Sequence, residues 1–345
     1  MDKKIGVLII FTVILLLFFF NFRSNDTSLN ITQQTIEKIV TSPTPAPFYD
    51  LTIPYLQQRK YQSKLSDLEK YSQNSNYTSY LTSYDSDGYK INGLLTIPAG
   101  NQPAGGWPAI IFIHGYIAPS VYKTTKNYVS YVDYFARNGF VVYKIDLRGH
   151  NQSEGEPGGA YYSSDYIIDT LNAKAALTTS DFVNPDKIGL WGHSMAGNVV
   201  FRSLVVDQNI PAVVIWAGAV YSYQDFVKYR LNDNSYRPSI TGAQRQRRRQ
   251  QLFDKYGEFD PNNIFWKQVA ATNYLDNVNS KIQIHHAVDD NVVNIGYSRD
   301  LIKILDKTNI NHQLFEYQTG GHNISGDSFN TAMQRSVEFF EKYLK

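Results

Sequence analysis

An α/β architecture, a mostly parallel sheet flanked by helices, is what this 345-residue sequence predicts, and three observations predict it. Short runs of strand length alternate with helical patterns from residue 109 to the end of the chain. Most of those runs are almost wholly apolar, as strands covered on both faces are: Ala109–Ile113, Phe140–Ile145, Ile188–Trp191 and Ala212–Ala217, followed by the more mixed Ile282–His286 and His312–Tyr317. Turn and glycine signals cluster where those runs end, and helical periodicity resumes after each cluster.

Taken in order, the chain begins with Ile5 to Phe22, a charge-free apolar run between Lys3-Lys4 and Arg23. As a helix it would span roughly 27 Å, just short of a ~30 Å hydrocarbon core. Phe18-Phe19-Phe20-Asn21-Phe22 offers no small-residue cleavage site, so an uncleaved transmembrane anchor is preferred over a cleaved signal peptide. The flanking lysines place residues 1–4 in the cytoplasm and the rest of the chain outside it, with secretion after cleavage as the alternative. Ser24 to Asp50 is polar and includes Pro43-Thr44-Pro45-Ala46-Pro47, so residues 23–54 read as an extended spacer. A single domain is then expected over 55–345. Its first clear signal is a hairpin, Leu81–Tyr84 and Tyr89–Ile97 about Asp85-Ser86-Asp87-Gly88. Helices are expected at Asn127–Asn138, Asp165–Thr178, Met195–Val206, Ile295–Asp306 and Asp327–Tyr343.

One stretch breaks the alternation. Residues 221–278 are polar and aromatic, and too long for an ordinary connection in an α/β domain. Helical patterning around Gln244 to Tyr256 suggests a small cap over one end of the sheet. Within it, Arg245-Gln246-Arg247-Arg248-Arg249 reads first as a solvated helix face. Contact with anionic lipid, polymer or acidic substrate is the second reading.

Composition sets outer limits. A net charge of +2 carries no bulk attraction to nucleic acid. The absence of cysteine excludes disulfides, thiolate zinc sites and a cysteine nucleophile. His114, His150, His193, His285 and His286 lack ligand-like spacing with carboxylates, and no helical His-Glu-x-x-His occurs, so neither metal nor cofactor is expected.

The chemistry gathers around Gly192-His193-Ser194-Met195-Ala196-Gly197, where a strand pattern passes through a tight turn into a helix pattern. A serine at such an apex is held in a strained conformation, and the residues two before and two after it must be small. Gly192 and Ala196 satisfy this, Ala196 replacing the commoner glycine, and Gly197 allows extra closeness between helix and sheet. An activated serine needs a base, and the base an orienting carboxylate. His322, in Thr319-Gly320-Gly321-His322-Asn323, follows the last strand, and Asp289 follows the strand before it. Loops at the carboxyl ends of parallel strands share one rim, so Ser194, Asp289 and His322 can converge there. Asp289 is preferred as the carboxylate, with the adjacent Asp290 in reserve. At the end of an earlier strand, Ile113-His114-Gly115-Tyr116 brings a backbone N–H, that of Tyr116, to the same rim as the N–H of Met195, forming a candidate oxyanion hole.

The order Ser, Asp, His, with Asp87-Gly88-Tyr89-Lys90-Ile91-Asn92-Gly93, His114-Gly115, Asp146-Leu147-Arg148-Gly149-His150-Asn151-Gln152-Ser153 and the Gly192–Gly197 motif, resembles the α/β-hydrolase fold over about Tyr77 to Lys345. Within that superfamily the chain is most similar to the catalytic domain of the prolyl oligopeptidase family and its acylaminoacyl-peptidase relatives. The resemblance implies Ser194 as nucleophile, His322 as general base and then acid, Asp289 as the residue orienting His322, and a largely structural role for Arg148-Gly149. Fewer than sixty residues separate spacer from hairpin, so the β-propeller that restricts the oligopeptidases to short peptides has no room. The expectation is therefore a membrane-anchored serine hydrolase acting on a peptide or a small ester or amide, peptidase-like. A carboxylesterase or lipase-type acyl hydrolase is the alternative, and an inactive hydrolase-fold binding module a further one.

Overall fold

The computed structural model describes residues 46–231 and 240–345, with the side chains of 240–245 outside that description. The expected anchor at 5–22 and most of the spacer lie outside the described residues. Among the described residues, no helix is long and apolar enough to cross a membrane. The spacer was expected to reach residue 54, but Leu51 and Ile53 are fully buried, so the packed domain starts earlier. Apolar side chains at 51, 53 and 56 give this segment a face to bury, which the proline-rich stretch before it lacks.

The domain is built on one nine-stranded sheet, ordered β1-β2-β3-β5-β4-β6-β7-β8-β9. Strands β1 (Glu69–Gln73), β2 (Tyr77–Ser86) and β3 (Tyr89–Pro98) form an antiparallel meander that joins β5 antiparallel. The β2–β3 hairpin turns on Asp87 and Gly88, both at positive φ (55° and 82°), the geometry for which an Asp-Gly pair is favoured. Strands β4 (Trp107–Ile113), β5 (Val141–Ile145), β6 (Val183–His193), β7 (Ala212–Trp216), β8 (Lys281–Ala287) and β9 (His312–Tyr317) are parallel. The described helices are α1 (Ile53–Gln58), α2 (Val129–Arg137), α3 (Asp165–Thr178), α4 (Ala196–Val206), α5 (Tyr223–Tyr229), α6 (Ile240–Tyr256), α7 (Ile264–Val269), α8 (Gly296–Leu305) and α9 (Asp327–Leu344). The exposed, polar β1 carries no apolar alternation, and the sequence does not reveal it.

The two-residue period of a strand divides the core into two layers. Ile111 and Ile113 of β4 join Leu190, Ile215 and Ile284 on the face covered by α3, α4 and α8. Ile110 and Phe112 join Trp191, Val214 and Trp216 on the other face, beneath α2 and α9. There Phe112 and Trp191 stack with ring centroids 4.1 Å apart.

The insertion at 221–278 makes its own aromatic cluster. Tyr223, Leu252, Phe265, Trp266 and Val269 pack with Leu51, and Phe48 and Tyr162 adjoin them. Its arginine run is divided between packing and solvent. Arg248 pairs with Asp50 at 2.8 Å and lies over the Phe48 ring, and Arg249 lies over Tyr162 and Phe253, while Arg247 is exposed. Arg248 therefore clamps α6 to the segment before α1, and Arg249 packs α6 against the loop before α3.

A buried ion pair ties the loop after β5 to α3. Arg148 meets the carboxylate of Asp169 through Nη2 at 2.6 Å and Nε at 3.1 Å, and Asp169 also accepts from the backbone N–H of Arg148 and from Ser86 Oγ. Arg148 Nη1 also reaches Asp165 Oδ1 at 3.2 Å, but that carboxylate is partly exposed, so losing the Asp169 charge leaves a buried guanidinium with only its weaker partner. We expect Asp169→Asn to lower unfolding stability by about 3–5 kcal/mol in urea denaturation. A loss under about 1 kcal/mol would show that water solvates the remaining guanidinium.

Candidate active site

Ser194 sits between β6 and α4 with φ at 56°, a left-handed conformation that costs a non-glycine residue about 1–2 kcal/mol. Its backbone is held on both sides. The N–H donates to Trp216 O (2.9 Å), and the carbonyl accepts from Gly197 N (2.9 Å) and Ala219 N (3.2 Å). The neighbours are small for a steric reason. A Cβ on Gly192 would lie 2.6 Å from Val200 Cγ2, and one on Gly197 would lie 2.5 Å from Gly218 Cα. Ala196 is tolerated because the strand residue facing its methyl is a glycine: a Cβ on Gly192 would lie 3.1 Å from Ala196 Cβ.

His322 lies on a short 3-10 turn, Gly321–Asn323, just after β9. Its Nε2 is 2.8 Å from Ser194 Oγ and its Nδ1 is 2.8 Å from Asp290 Oδ2. The carboxylate on the imidazole is therefore Asp290, and the preference for Asp289 is corrected. The reason is the turn that follows β8. Asp290 N–H donates back to Ala287 O, which carries residue 290 inward and leaves residue 289 exposed. Asp289 instead accepts from Gly321 N (2.8 Å) and Gly320 N (3.3 Å), bracing the backbone of the loop that carries His322.

The side chain of Asp290 is fully buried. Its Oδ1 accepts from Val292 N (2.8 Å) and Val293 N (2.9 Å). His286 Nε2 sits 3.2 Å from Oδ2 and 2.9 Å from Val293 O, while its Nδ1 faces Ser298 Oγ at 2.7 Å. Burial alone would raise the Asp290 pKa. The hydrogen bonds from His286, His322 and the Val293 backbone outweigh it and hold the carboxyl below its ordinary range. The support from His286 is the part that sequence reading missed. Its signal was alternation along β8, which sends His285 and His286 to opposite faces, His285 toward Tyr317 and Gln283.

Met195 directly precedes α4 and is buried, and Tyr116 lines the same cleft as Ser194 and His322. That cleft is about 420 Å3, and its other walls are Gly115, Ile117, Asn127, Tyr128, Tyr131, His193 and Asn323. No described residue of the 221–278 insertion is among them. The described part of the insertion packs beside α1, α4 and α8. Among the described residues no group of three or more His, Asp or Glu side chains could hold a metal ion.

Comparison with known proteins agrees with this architecture. A family model described as serine aminopeptidase, S33, matches residues 108–236. A thiohydrolase, aneE, of Aspergillus aculeatus is 28% identical over 128 residues, covering 37% of this chain and 37% of that protein. The quorum-quenching protein AidA of Acinetobacter baumannii is 24% identical over 131 residues, covering 38% of this chain and 41% of that one. The chain thus spans about two fifths of the length of these curated relatives. Among solved structures, an acetyl xylan esterase from Paenibacillus sp. R4 has a TM-score of 0.58 at 16% identity, covering 85% of this chain and 92% of its own. A putative dipeptidyl aminopeptidase IV from Bacteroides ovatus has a TM-score of 0.61 at 18% identity, covering 79% and 37%. Esterases and peptidases both appear, so the likeness is to the wider superfamily and does not single out the prolyl oligopeptidases. The chain has the α/β-hydrolase fold.

Proposed function

We propose that this protein is a serine hydrolase that cleaves neutral esters of small acyl groups through an acyl-enzyme. The observation that carries the reading is the unbroken hydrogen-bonded series Ser194–His322–Asp290. Ser194 Oγ attacks the substrate carbonyl as His322 Nε2 takes its proton. Asp290 holds the ring by Nδ1 and stabilises the imidazolium that forms. Charge then develops on the carbonyl oxygen beside the start of α4, where the N–H groups of Met195 and Tyr116 are assigned the oxyanion. The proton passes from His322 to the leaving alcohol, and water repeats the attack on the acyl-serine with His322 as base.

The preference for a neutral ester rests on what lines the cleft. Recognition of a free α-amine calls for a carboxylate and recognition of a chain-terminal carboxylate calls for Arg or Lys. None of the described lining residues is Asp, Glu, Lys or Arg, whereas three are tyrosines and two asparagines. The acetyl xylan esterase among the similar structures agrees in kind. A peptidase remains the second reading, because the matching family model is described as a serine aminopeptidase. We further propose that residues 5–22 anchor the domain outside the cytoplasm. Protease treatment of intact cells would then release the domain, and a mature soluble form starting near Asn25 would favour a cleaved signal.

Ser194→Ala should lower turnover of p-nitrophenyl acetate by roughly 10⁴-fold or more and abolish labelling by a fluorophosphonate probe. Near-normal turnover by this variant would overturn the mechanism. Asp290→Asn should cost about 10⁴-fold by mis-setting the imidazole tautomer. Asp289→Asn, which loosens only the loop backbone, should cost on the order of tenfold. A panel of neutral esters against amides bearing a free α-amine decides substrate class, and faster cleavage of the amides would move the reading to an exopeptidase.

Asp290 also predicts a pH dependence of stability. Its folded pKa lies below the unfolded carboxylate value of ~3.9, so its contribution is complete above that value. It fades as pH falls through the folded value. Wild type should therefore be more stable than Asp290→Asn near neutrality, and the gap should narrow toward pH ~2 in urea denaturation. A gap independent of pH would mean that the charge of Asp290 is not what stabilises the fold.

A further inference from the structure

We propose that Tyr128 and His193 form a hydrogen-bonded relay that locks the loop carrying Tyr116 to the backbone of His322, making both of them positioning residues for acyl transfer. The inference rests on the roles proposed above for Ser194, His322 and Tyr116. Three contacts make the relay. Gly115 N lies 3.1 Å from Tyr128 Oη, Tyr128 Oη lies 2.6 Å from His193 Nδ1, and His193 Nε2 lies 2.8 Å from His322 O.

The chemistry of the two ends allows one arrangement of protons. The carbonyl of His322 can only accept, so His193 carries its hydrogen on Nε2. A neutral imidazole must then accept at Nδ1, and Tyr128 has one hydrogen to give it. The Tyr128 oxygen is left to accept from Gly115 N–H, which can only donate. Every group is satisfied and no alternative tautomer serves. The charge states agree, because burial and the neighbouring His322 push the His193 pKa down to about 3. Burial likewise raises the Tyr128 hydroxyl above its usual range, so it keeps its proton.

Two further observations show that the local fold is shaped around this relay. A Cβ on Gly115 would stand 2.7 Å from Tyr128 Oη and 3.0 Å from His193 Nδ1, so only glycine leaves room for the relay. Tyr128 itself, just before α2, has φ at 59°, a conformation unfavourable to a tyrosine. That strain turns its hydroxyl under the loop after β4.

The need for such a lock follows from the sheet order. His322 leaves β9, which is separated from β6 by β7 and β8, yet it must meet Ser194 at the end of β6. Its loop therefore crosses the rim and requires an anchor at its far end. His193 supplies one at the carbonyl of His322, and Tyr131 Oη supplies another at Asn323 O (3.1 Å). Since the same relay holds Gly115, the base and the oxyanion donor keep one register relative to Ser194.

The test is steady-state hydrolysis of p-nitrophenyl acetate by the full chain, with the rate of fluorophosphonate labelling as a second readout. Tyr128→Phe removes one oxygen and should lower kcat by about 10- to 100-fold with KM within about twofold, as a small misplacement of reacting groups does. His193→Leu should behave alike, and the double variant should be little worse than either. His193→Gln, whose amide can donate to His322 O and accept from Tyr128, should recover most of the lost rate. Tyr84→Phe, which removes a buried hydroxyl bonded to Asp169 O far from the cleft, gives the baseline in thermal stability and rate. If Tyr128→Phe does not fold, His193→Gln compared with His193→Leu decides the matter, and equal rates from the two overturn the relay. Wild-type kcat in a folded Tyr128→Phe, or losses that multiply in the double variant, also overturn it while leaving the proposed function standing. A wild type inert to both ester and probe overturns the function and the relay together.

Discussion

There is no room for a Cβ between β6 and α4 at residue 192, or between α4 and the loop after β7 at residue 197, and the whole site depends on that closeness. The approach of helix to strand forces the chain to turn within a few residues, and Ser194 takes the strained left-handed conformation. The turn presents Oγ at the rim while the backbone stays tied to Trp216, Gly197 and Ala219. A nucleophile positioned by its main chain needs little from its side-chain rotamer. The remaining groups then have a fixed point to be organised around.

Those groups arrive on loops from strands that are distant in the sheet, and buried polar contacts hold the loops. Asp289 and Asp290 are adjacent yet serve different partners, one the backbone N–H groups of Gly320 and Gly321, the other the imidazole of His322. The loop after β4 is secured in a similar way. Lys144 donates to Tyr122 Oη and Thr124 O, and Tyr122 and Thr124 donate to the carboxylate of Asp146. Burial brings the Lys144 pKa down to about 8 and the Asp146 pKa up to about 6. His114 stacks on Tyr122 at 4.2 Å, which links this network to the segment leading to Tyr116. A buried polar network of this kind is costly when incomplete and rigid when satisfied, and rigidity is what an oxyanion site requires.

The insertion illustrates a different use of charge. An arginine-rich helix commonly reads as a solvated face, yet Arg248 and Arg249 lie against aromatic rings, and Arg248 also pairs with Asp50. Guanidinium groups suit this because they stack on rings while still pairing with carboxylates. The described part of the insertion thereby fastens the segment entering the domain, and the described lining of the cleft at Ser194 comes from the core loops.

The sequence by itself determined the alternating strands and helices, because burial on both faces demands apolar runs and the helical period is separately legible. It determined the serine turn through the small residues at 192, 196 and 197, and it placed His322 on the same rim through chain order. The tertiary structure alone decided between Asp289 and Asp290. Two neighbouring carboxylates are equivalent in sequence, and which of them faces inward depends on the backbone path after β8. It alone decided that residues 51 and 53 belong to the core, since short apolar patterns carry no record of what covers them. It alone brought Gly115, Tyr128, His193 and His322 into one line of hydrogen bonds. Contacts among residues that far apart in the chain leave no periodicity to read, because they are fixed by the order of strands in the sheet.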